Sequence, residues 1–294
     1  MILDPGRLFE AVRERSVQAK RVGALRSIPT SFELVEDGKS GIAFMVRMVE
    51  HLGQKREDAS EQRRTGVNPF LPCNRELFVA DVSETHLCLL NKYNVLDHHL
   101  LIVTRSFEEQ ESLLTLEDFE ALWLCMAERE GLGFYNAGTD AGASQPHKHL
   151  QLVSVPIGVG PERTPVEPLL ATARFDGPLG TVEALPFLHS VARLDEHSSP
   201  GSREGAEAAL EIYRAMLPRV GIDAEAPHPY NLLVTWDWMF LLPRTRGFFH
   251  GIEVNALGFA GTLLARDQQQ LAFIKREGPM TLLRNVAFTP ARTS

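Results

Sequence analysis

The chain has 294 residues and a formal net charge of -8 at pH 7, and 23% of its residues are charged while 44% are hydrophobic. This length can bury a sizeable core as one large domain or two small ones, and the composition is ordinary for a soluble globular enzyme. The negative charge argues against nucleic acid as a general partner, and no apolar run reaches membrane-spanning length.

The cysteine pattern indicates the compartment. Cys73, Cys88 and Cys125 form no Cys-x-x-Cys pair. Three cysteines without such spacing predict neither a disulfide framework nor a cysteine zinc site. The first twenty residues also lack the uninterrupted apolar stretch of a signal peptide. We therefore expect a reducing, cytoplasmic environment.

The N-terminal part of the chain begins with a helix and a hairpin. Apolar residues recur at helical spacing over residues 8–24, which predicts an amphipathic helix. Residues 31–35 and 42–46 are predicted to form two strands, and the Asp37-Gly38 turn joins them. Residues 54–68 are polar and charged, so we expect a loop there.

The middle of the chain alternates strands with a helix. Strands are predicted at 77–82, 85–90 and 100–104. A capping-box pattern at Thr115 begins a helix that runs to about Glu130, where Gly131 and Gly133 end it. A short strand at 134–136 follows.

A glycine-rich turn at 138–145 then leads directly into two histidines and a glutamine at alternate positions. In a strand, residues two apart point to the same face. His147, His149 and Gln151 would therefore converge, while Lys148 would face away, at the surface or just behind the site. This cluster is the strongest functional signal in the sequence.

Neutral imidazole has one nitrogen free to attack and one that a hydrogen bond can orient. Attack by His149 on a phosphoryl centre would give a phosphoramidate intermediate, and the backbone amides of 142–144 could hold phosphate oxygens in a nest. Two other readings stay open at this point. A histidine pair at this spacing can ligate zinc, although no further ligand stands at a typical spacing, and the pair can also be purely structural.

The C-terminal part continues with loops, a helix and a strand pair. A loop rich in proline and glycine is predicted at 156–168, a helix at 204–217, strands at 231–235 and 238–242, and a final helix from 271. Arg244, Arg246 and His250 form a basic group that could either bind polyphosphate or belong to a solvated loop.

Three blocks of the sequence resemble a known family. The block 142–151, with its His-x-His-x-Gln, is similar to the signature of the ATP adenylyltransferase (diadenosine tetraphosphate, or Ap4A, phosphorylase) family. That family is the transferase branch of the histidine-triad superfamily, whose hydrolases have His-x-His-x-His. Residues 91–104 and 229–239 also resemble segments of that family, and the three blocks occur in the family's order along the chain. Together they cover about residues 70–264.

The resemblance implies an α+β fold of the HIT-like, galactose-1-phosphate uridylyltransferase-like type, in which helices pack on an antiparallel sheet. It also suggests two halves that are distant duplicates. We expect one domain over 1–294, with a motif-bearing half at about 70–157 and a C-terminal half at about 185–294.

The same resemblance assigns roles to individual residues. His149 would be the nucleophile that becomes adenylylated, Gln151 would hold phosphate oxygens, and His147 and His99 would lie behind the nucleophile. His98 and His99 are adjacent, and either could point inward. Substrate contacts are implied for Lys55, Asn91, Lys92, Asn136, Gly142, Ala143, Ser144, Gln145, Leu232, Leu233, Val234 and Met239.

The implied reaction is reversible phosphorolysis of Ap4A to ATP and ADP through an adenylyl-histidine. The expected ligands are Ap4A, ATP, ADP, AMP and phosphate, with Mg²⁺ carried by substrate phosphates and no dedicated metal site. Two alternatives remain. A hexose-1-phosphate uridylyltransferase shares the motif but typically has proline where Lys148 stands, and a nucleotide-binding sensor could keep the fold without catalysis.

Overall fold

The computed structural model describes residues 6–49, 66–194 and 201–289. Fifteen strands and seven helices lie within this described part of the chain. The strands are β1 Thr30–Glu36, β2 Ala43–Val49, β3 Phe78–Asp81, β4 His86–Leu90, β5 Leu100–Thr104, β6 Gly131–Ala137, β7 His149–Ser154, β8 Arg174–Asp176, β9 Leu179–Thr181, β10 Ser190–Arg193, β11 Tyr230–Val234, β12 Trp238–Pro243, β13 Phe248–Phe249, β14 Ile252–Glu253 and β15 Thr262–Ala265. The helices are α1 Leu8–Arg21, α2 Leu116–Glu128, α3 Glu167–Leu170, α4 Arg203–Arg219, α5 Ala256–Phe259, α6 Gln268–Glu277 and α7 Pro279–Val286.

Ten of the strands form one sheet, in the order β3-β4-β5-β7-β6-β11-β12-β10-β9-β8. Every neighbouring pair in it is antiparallel. The predicted α+β fold with a large antiparallel sheet is therefore confirmed. No helix among the described residues is both long enough and apolar enough to cross a membrane.

The sheet contains the same connectivity twice. Strands β3, β4 and β5 form a meander, α2 follows, and the hairpin β6-β7 then places its second strand beside β5. Strands β8, β9 and β10, helix α4 and the hairpin β11-β12 repeat this path, and β6 pairs with β11 to join the two runs. This repetition agrees with the predicted pseudo-duplication, although the second run already begins at Arg174, before residue 185.

Helices α1, α2 and α4 cover one face of the large sheet. Their apolar sides pack on alternate residues of the strands, and Trp123 and Tyr213 are among the large side chains buried there. The start of α2 is held by the predicted capping box, because Thr115 accepts from the amide of Asp118 and the Asp118 carboxylate accepts from the amide of Thr115. We call this side of the sheet the helix face.

The opposite face is covered in part by the small sheet β1-β2-β15 and the C-terminal helices, which pack with Phe134, Leu233 and Phe240. A smaller cluster around Phe70 and Leu101 lies on the same face, over β4 and β5. His149 lies on this face as well, and we call it the site face.

Gly131 and Gly133 do not end the helix before a short strand, as predicted, but lie within β6 itself. Both glycines are needed for close packing. A Cβ atom on Gly131 would lie 2.7 Å from Leu152 Cδ1, and one on Gly133 would lie 2.9 Å from Leu122 Cδ1. The glycines therefore let β6 approach its neighbouring strand and helix α2.

Candidate active site

The strand register places the predicted site residues on one face. In β7, His149 pairs with Val103 of β5 and Gln151 pairs with Phe134 of β6. Asn136 lies two residues beyond Phe134, so its side chain also points to the site face. This register places His149 and Gln151 on the same face. His147 precedes β7, and the ring of Phe70 packs against both His147 and His149, at centroid distances of 5.5 and 5.4 Å.

His149 is held as a neutral imidazole, and its Nε2 has no hydrogen-bond partner among the described residues. Its Nδ1 lies 2.8 Å from the carbonyl oxygen of His147, which can only accept, so Nδ1 carries the proton. Burial lowers the pKa of His149 to about 4 and outweighs the hydrogen bond to His147, which acts in the opposite direction. At neutral pH, Nε2 is therefore an unprotonated nitrogen, which is the form a nucleophile requires.

This protonation state can be measured directly. The low pKa means that His149 stays neutral as the pH falls through 6.5 and takes up a proton only near pH 4. Nitrogen-15 NMR of histidine-labelled protein, assigned by comparison with His149→Ala, should show a protonated Nδ1 and a bare Nε2 from pH 8 to about pH 5. A His149 signal that titrates near pH 6.5 would contradict the prediction.

His147 has both ring nitrogens engaged. Nε2 donates to the carbonyl oxygen of Thr104 at 2.9 Å, and Nδ1 accepts from Asn68 Nδ2 at 2.9 Å. Burial lowers the pKa of His147 as well, so this ring is also neutral. His147 thus has no free lone pair for attack or metal binding, and it contributes its carbonyl to the orientation of His149.

His99, not His98, points into the site. His99 Nε2 donates to Gln151 Oε1 at 2.8 Å, and its Nδ1 accepts from Asn91 Nδ2 at 3.3 Å. His98 instead adopts a positive φ of 56° and packs on Phe9. Because His99 occupies the oxygen of the Gln151 amide, the amide presents its NH₂ group as the remaining donor.

The glycine-rich turn is a short 3-10 helix over Thr139–Ala141, closed by Gly142 with φ of 94°. The predicted phosphate nest of three amides is wrong in two of its members. The amide of Gly142 donates to Thr139 O at 2.9 Å, and the amide of Ala143 donates to Gly138 O at 3.1 Å. These two N–H groups close the turn itself, and Ser144 lies exposed directly after them.

Gly142 has no room for a side chain. A Cβ atom there would lie 2.7 Å from Asn255 Cβ and 2.8 Å from Val254 O. We expect Gly142→Ala to cost roughly 1–2 kcal/mol for the left-handed backbone and a further 1–3 kcal/mol for the clash. Gly221→Ala is the matched control, since Gly221 has φ of 72° and open space around it. Thermal unfolding should show a clearly larger loss for Gly142→Ala, and equal losses would contradict the clash.

A buried chain of side chains aims the Asn136 amide at the site. Arg244 donates to Asn231 Oδ1, which leaves Asn231 Nδ2 to donate to Asn136 Oδ1 at 2.8 Å. Asn136 Oδ1 also accepts from the amide of Ala256 at 3.0 Å. Asn136 Nδ2 is left as a buried donor without a partner among the described residues. Such a group costs free energy unless a ligand satisfies it.

The sequence suggested that Arg244 either binds polyphosphate or lies in a solvated loop. The structure shows neither arrangement, because Arg244 is only 1% exposed. Its guanidinium donates to the carbonyl oxygens of Ala141, Arg246, Val254 and Val286. Burial lowers the pKa of Arg244 to about 9, against the opposing charge of Asp140. The arginine therefore ties the glycine turn to the C-terminal part of the chain.

Sequence reasoning missed Gln110. Its Oε1 accepts from the amide of His149 at 2.9 Å, and its Nε2 donates to the carbonyl oxygens of Asn136 and His149 at 2.9 and 3.2 Å. Gln110 therefore replaces the ladder hydrogen bonds where β6 and β7 separate. A single glutamine in a polar loop leaves no periodic signal in the sequence, so only its position in the fold reveals this role.

The remaining predicted contacts are distributed unevenly. Asn91 lies beside His99, and Lys92 follows it and places its ammonium over the ring of Tyr93. Gln145 follows the glycine turn, and Lys55 lies outside the described residues.

By register, Leu233 faces the site face, but it is buried in the core there. Leu232, Val234 and Met239 belong to the helix-face core. Their side chains therefore point away from the face that carries His149, and a substrate contact at these three positions stays a prediction.

Lys148 faces away from the histidines, as the alternation predicts, but it is not at the surface. It is completely buried on the helix face and forms an ion pair with Asp118 at 2.6 Å.

In the second run of strands, the corresponding hairpin β11-β12 has only a short turn, and its site face carries the apolar Phe240 and Leu242. The site-face positions of β12 that correspond to His149 and Gln151 are therefore apolar.

Two protein-family models match the chain. The Ap4A phosphorylase N-terminal domain matches residues 1–172, and the ATP adenylyltransferase C-terminal domain matches residues 183–289. A curated relative in Saccharomyces cerevisiae, diadenosine 5',5'''-P1,P4-tetraphosphate phosphorylase 2, is 25% identical over 296 residues, covering 90% of this chain and 89% of the relative.

Solved structures show the same fold. Yeast Ap4A phosphorylase Apa2 in complex with Ap4A superposes with a TM-score of 0.82 at 22% identity, covering 98% of this chain and 99% of that one. The complex of Apa2 with AMP gives a TM-score of 0.81 at 23% identity, with both chains covered completely. The described architecture is thus shared along the full length of this chain.

Proposed function

Because the chain belongs to the Ap4A phosphorylase family, we propose that it catalyses the reversible phosphorolysis of Ap4A to ATP and ADP, with His149 as the nucleophile. The observation that carries this proposal is the protonation state of His149, whose Nδ1 is fixed as a donor and whose Nε2 is unprotonated at neutral pH. A related fungal enzyme named for this activity matches along nearly the whole chain.

In the first displacement, Nε2 of His149 attacks the α-phosphorus of Ap4A. A phosphorus–nitrogen bond forms, the bond from that phosphorus to the bridging oxygen breaks, and ATP leaves with the bond electrons. The positive charge that develops on the imidazole is shared with Nδ1, whose proton already points at the carbonyl oxygen of His147. That carbonyl therefore stabilises the adenylyl-histidine.

Two amide groups are placed to bind the non-bridging phosphate oxygens. Gln151 presents its NH₂ group because His99 engages its oxygen, and Asn136 presents its NH₂ group because Asn231 and Ala256 engage its oxygen. Preorganised donors of this kind stabilise the charge of the transition state more than that of the bound substrate.

In the second displacement, an oxygen of orthophosphate attacks the same phosphorus. The phosphorus–nitrogen bond breaks, ADP is formed, and the electron pair returns to Nε2. Each step is an in-line substitution at phosphorus that depends mainly on positioning. The reverse sequence makes Ap4A from ATP and ADP.

We propose that Mg²⁺ enters with the nucleotide and is held mainly by phosphate oxygens and water. No group of three or more histidine, cysteine, aspartate or glutamate side chains is arranged to hold a metal in the part of the chain that the structure describes. When bound in this way, the cation would neutralise phosphate charge.

We also propose a reducing, cytoplasmic compartment, because Cys73, Cys88 and Cys125 are all free thiols.

The test is incubation of the purified protein with Ap4A and Mg²⁺, with and without orthophosphate, followed by chromatography of the nucleotides. ATP plus ADP formed only with phosphate supports the proposal. ATP plus AMP without phosphate would show a hydrolase instead. Exchange of UMP between UDP-hexose and hexose 1-phosphate would show a uridylyltransferase, and tight Ap4A binding without turnover would show a sensor; either would overturn the proposal.

A further inference from the structure

A completely buried lysine lies between the two histidines, on the reverse side of the strand. Lys148 Nζ lies 2.6 Å from Asp118 Oδ2, 3.2 Å from Glu108 Oε2 and 3.1 Å from the carbonyl oxygen of Leu113. The reaction described above makes no use of this charge. Its partners nevertheless belong to the two elements next to the nucleophile, helix α2 and the loop before it.

The ammonium holds the loop 108–113 at both ends. Glu108 and Leu113 are its first and last residues, and the backbone amide of Lys148 also donates to the carbonyl oxygen of Glu108 at 2.8 Å. Between these ends, Gln110 holds the amide and the carbonyl of His149. Lys148 is thus one of two side chains that hold the loop behind the nucleophile; the other is Tyr135, whose hydroxyl lies 2.6 Å from the carbonyl oxygen of Gln110 and 3.0 Å from that of Ser112.

The Asp118 carboxylate, which pairs with Lys148, is itself held in place by hydrogen bonds. Its carboxylate accepts from the backbone amide of Thr115 at 2.7 Å and from His86 Nε2 at 3.1 Å, in addition to Lys148. Burial by itself would raise the pKa of Asp118, but the hydrogen bond from His86 and the charge of Lys148 keep it below the usual value. The carboxylate is therefore ionised, and the buried pair is a true ion pair.

Stability alone does not require this pair. Taking two charges out of water is costly, and replacing a buried ion pair by apolar side chains of similar volume is often neutral or stabilising. What apolar side chains cannot supply is direction, because dispersion contacts do not hold a carbonyl and two carboxylates at set distances from one atom. The defined geometry around Lys148 points to a role in placement.

We propose that Lys148 is a positioning residue for the nucleophile. Its ammonium, which is paired with Asp118, holds the loop 108–113, and Gln110 in that loop sets the position of His149. The inference rests on the proposed function, in which His149 attacks the phosphorus. Reacting groups must be aligned within a fraction of an ångström for such an attack, so loss of the anchor should slow chemistry more than it weakens binding.

The first experiment compares Lys148→Met with Lys275→Met, a matched control at a half-exposed lysine whose partner is Glu33. Lys148→Met should lower kcat for Ap4A phosphorolysis by about 10- to 100-fold and change KM by less than about threefold. The control should keep both constants. A folded Lys148→Met protein with kcat within twofold of the wild type would overturn the inference.

A second variant separates placement from stability. Lys148→Met leaves the Asp118 carboxylate buried and unpaired, whereas the double variant Lys148→Met/Asp118→Asn removes both charges. If the pair only stabilises the fold, the double variant should regain both thermal stability and kcat. The positioning role predicts that it regains stability and stays slow.

The route through Gln110 is tested by a double-mutant cycle. Gln110→Ala alone should also lower kcat. The fold-loss in kcat of the double variant with Lys148→Met should be smaller than the product of the two single fold-losses, because both residues act through the same loop. Fully multiplicative effects would overturn the route. If the Lys148 variants do not fold, Glu108→Gln at the exposed end of the anchor carries the test, with a kcat loss of about threefold expected and no loss contradicting the proposal.

The outcomes are distinguishable from failure of the proposed function. A wild-type protein that does not turn over Ap4A with phosphate would refute the phosphorylase assignment itself. An active wild type together with an equally active Lys148→Met variant would refute the positioning role alone.

Discussion

His149→Ala should lower the rate of Ap4A phosphorolysis by about 10⁴-fold or more, because it removes the atom that forms the covalent intermediate. The main-chain hydrogen bonds from Gln110 to residue 149 do not depend on the side chain, so the loop and strand should keep their places. Nucleotide binding should therefore largely survive, and AMP affinity within about threefold of the wild type is the expected result.

Two measurements decide this prediction. Steady-state kinetics gives the loss in rate, and intact-protein mass spectrometry after mixing with Ap4A without phosphate detects the adenylyl-enzyme in the wild type and its absence in the variant. His228→Ala is the matched control, since His228 is exposed and contacts only the ring of Phe288 among the described aromatic residues. Turnover within tenfold of the wild type in His149→Ala would remove His149 from the mechanism.

Gln151→Glu is the second large effect that we expect. The change keeps the shape of the side chain and one oxygen for His99 Nε2, but it replaces the NH₂ donor with a negative oxygen. Losing one preorganised donor to a transition-state oxygen typically costs about 10²–10³ in kcat, and the added repulsion with phosphate acts in the same direction. We therefore expect a loss of at least about 10²-fold.

The matched control makes the same chemical change elsewhere. Gln269→Glu alters an exposed residue of α6 and should leave kcat and KM at wild-type values. Both proteins are compared by single-turnover formation of the adenylyl-enzyme, which isolates the first displacement from product release. If Gln151→Glu retains more than a third of the wild-type rate, the amide of Gln151 does not contact the reacting phosphate.

Both predictions rest on hydrogen bonds that fix which atom faces the substrate. For His149 the decisive contact is the carbonyl of His147, and for Gln151 it is the ring of His99. The carbonyl can only accept, and the His99 ring donates through Nε2 when its Nδ1 accepts from Asn91, so each contact orients the group that it holds. The site is thus preorganised by neighbours that do not themselves touch the reacting phosphorus.

Local patterns predicted most of the secondary structure. Helix α1, the hairpin β1-β2 and the strands β4 and β5 lie close to their predicted positions, because amphipathic spacing and turn residues act over a few neighbours. The errors occurred where packing decides. Gly131 and Gly133 look like helix stops in the sequence but lie in a strand, where the lack of a side chain permits close approach.

The sequence by itself pointed to the residues that are proposed to carry the chemistry. The alternation of His149 and Gln151 after a glycine-rich turn placed both side chains on one face of a strand, since the period of a strand is two residues, and His147 directly precedes that strand. The same period placed Lys148 on the other face. These conclusions required only local geometry, and the family resemblance rested on the same residues.

Only the tertiary structure decided how that chemistry is held. Gln110, Arg244 and the Asp118–Lys148 pair act through residues far away in the chain, and the pairing of strands brings those residues together. Burial also set the state of His149, because removing water from the imidazole lowers its pKa to about 4. Desolvation and long-range hydrogen bonds depend on the whole fold, so no local pattern in the sequence could have revealed them.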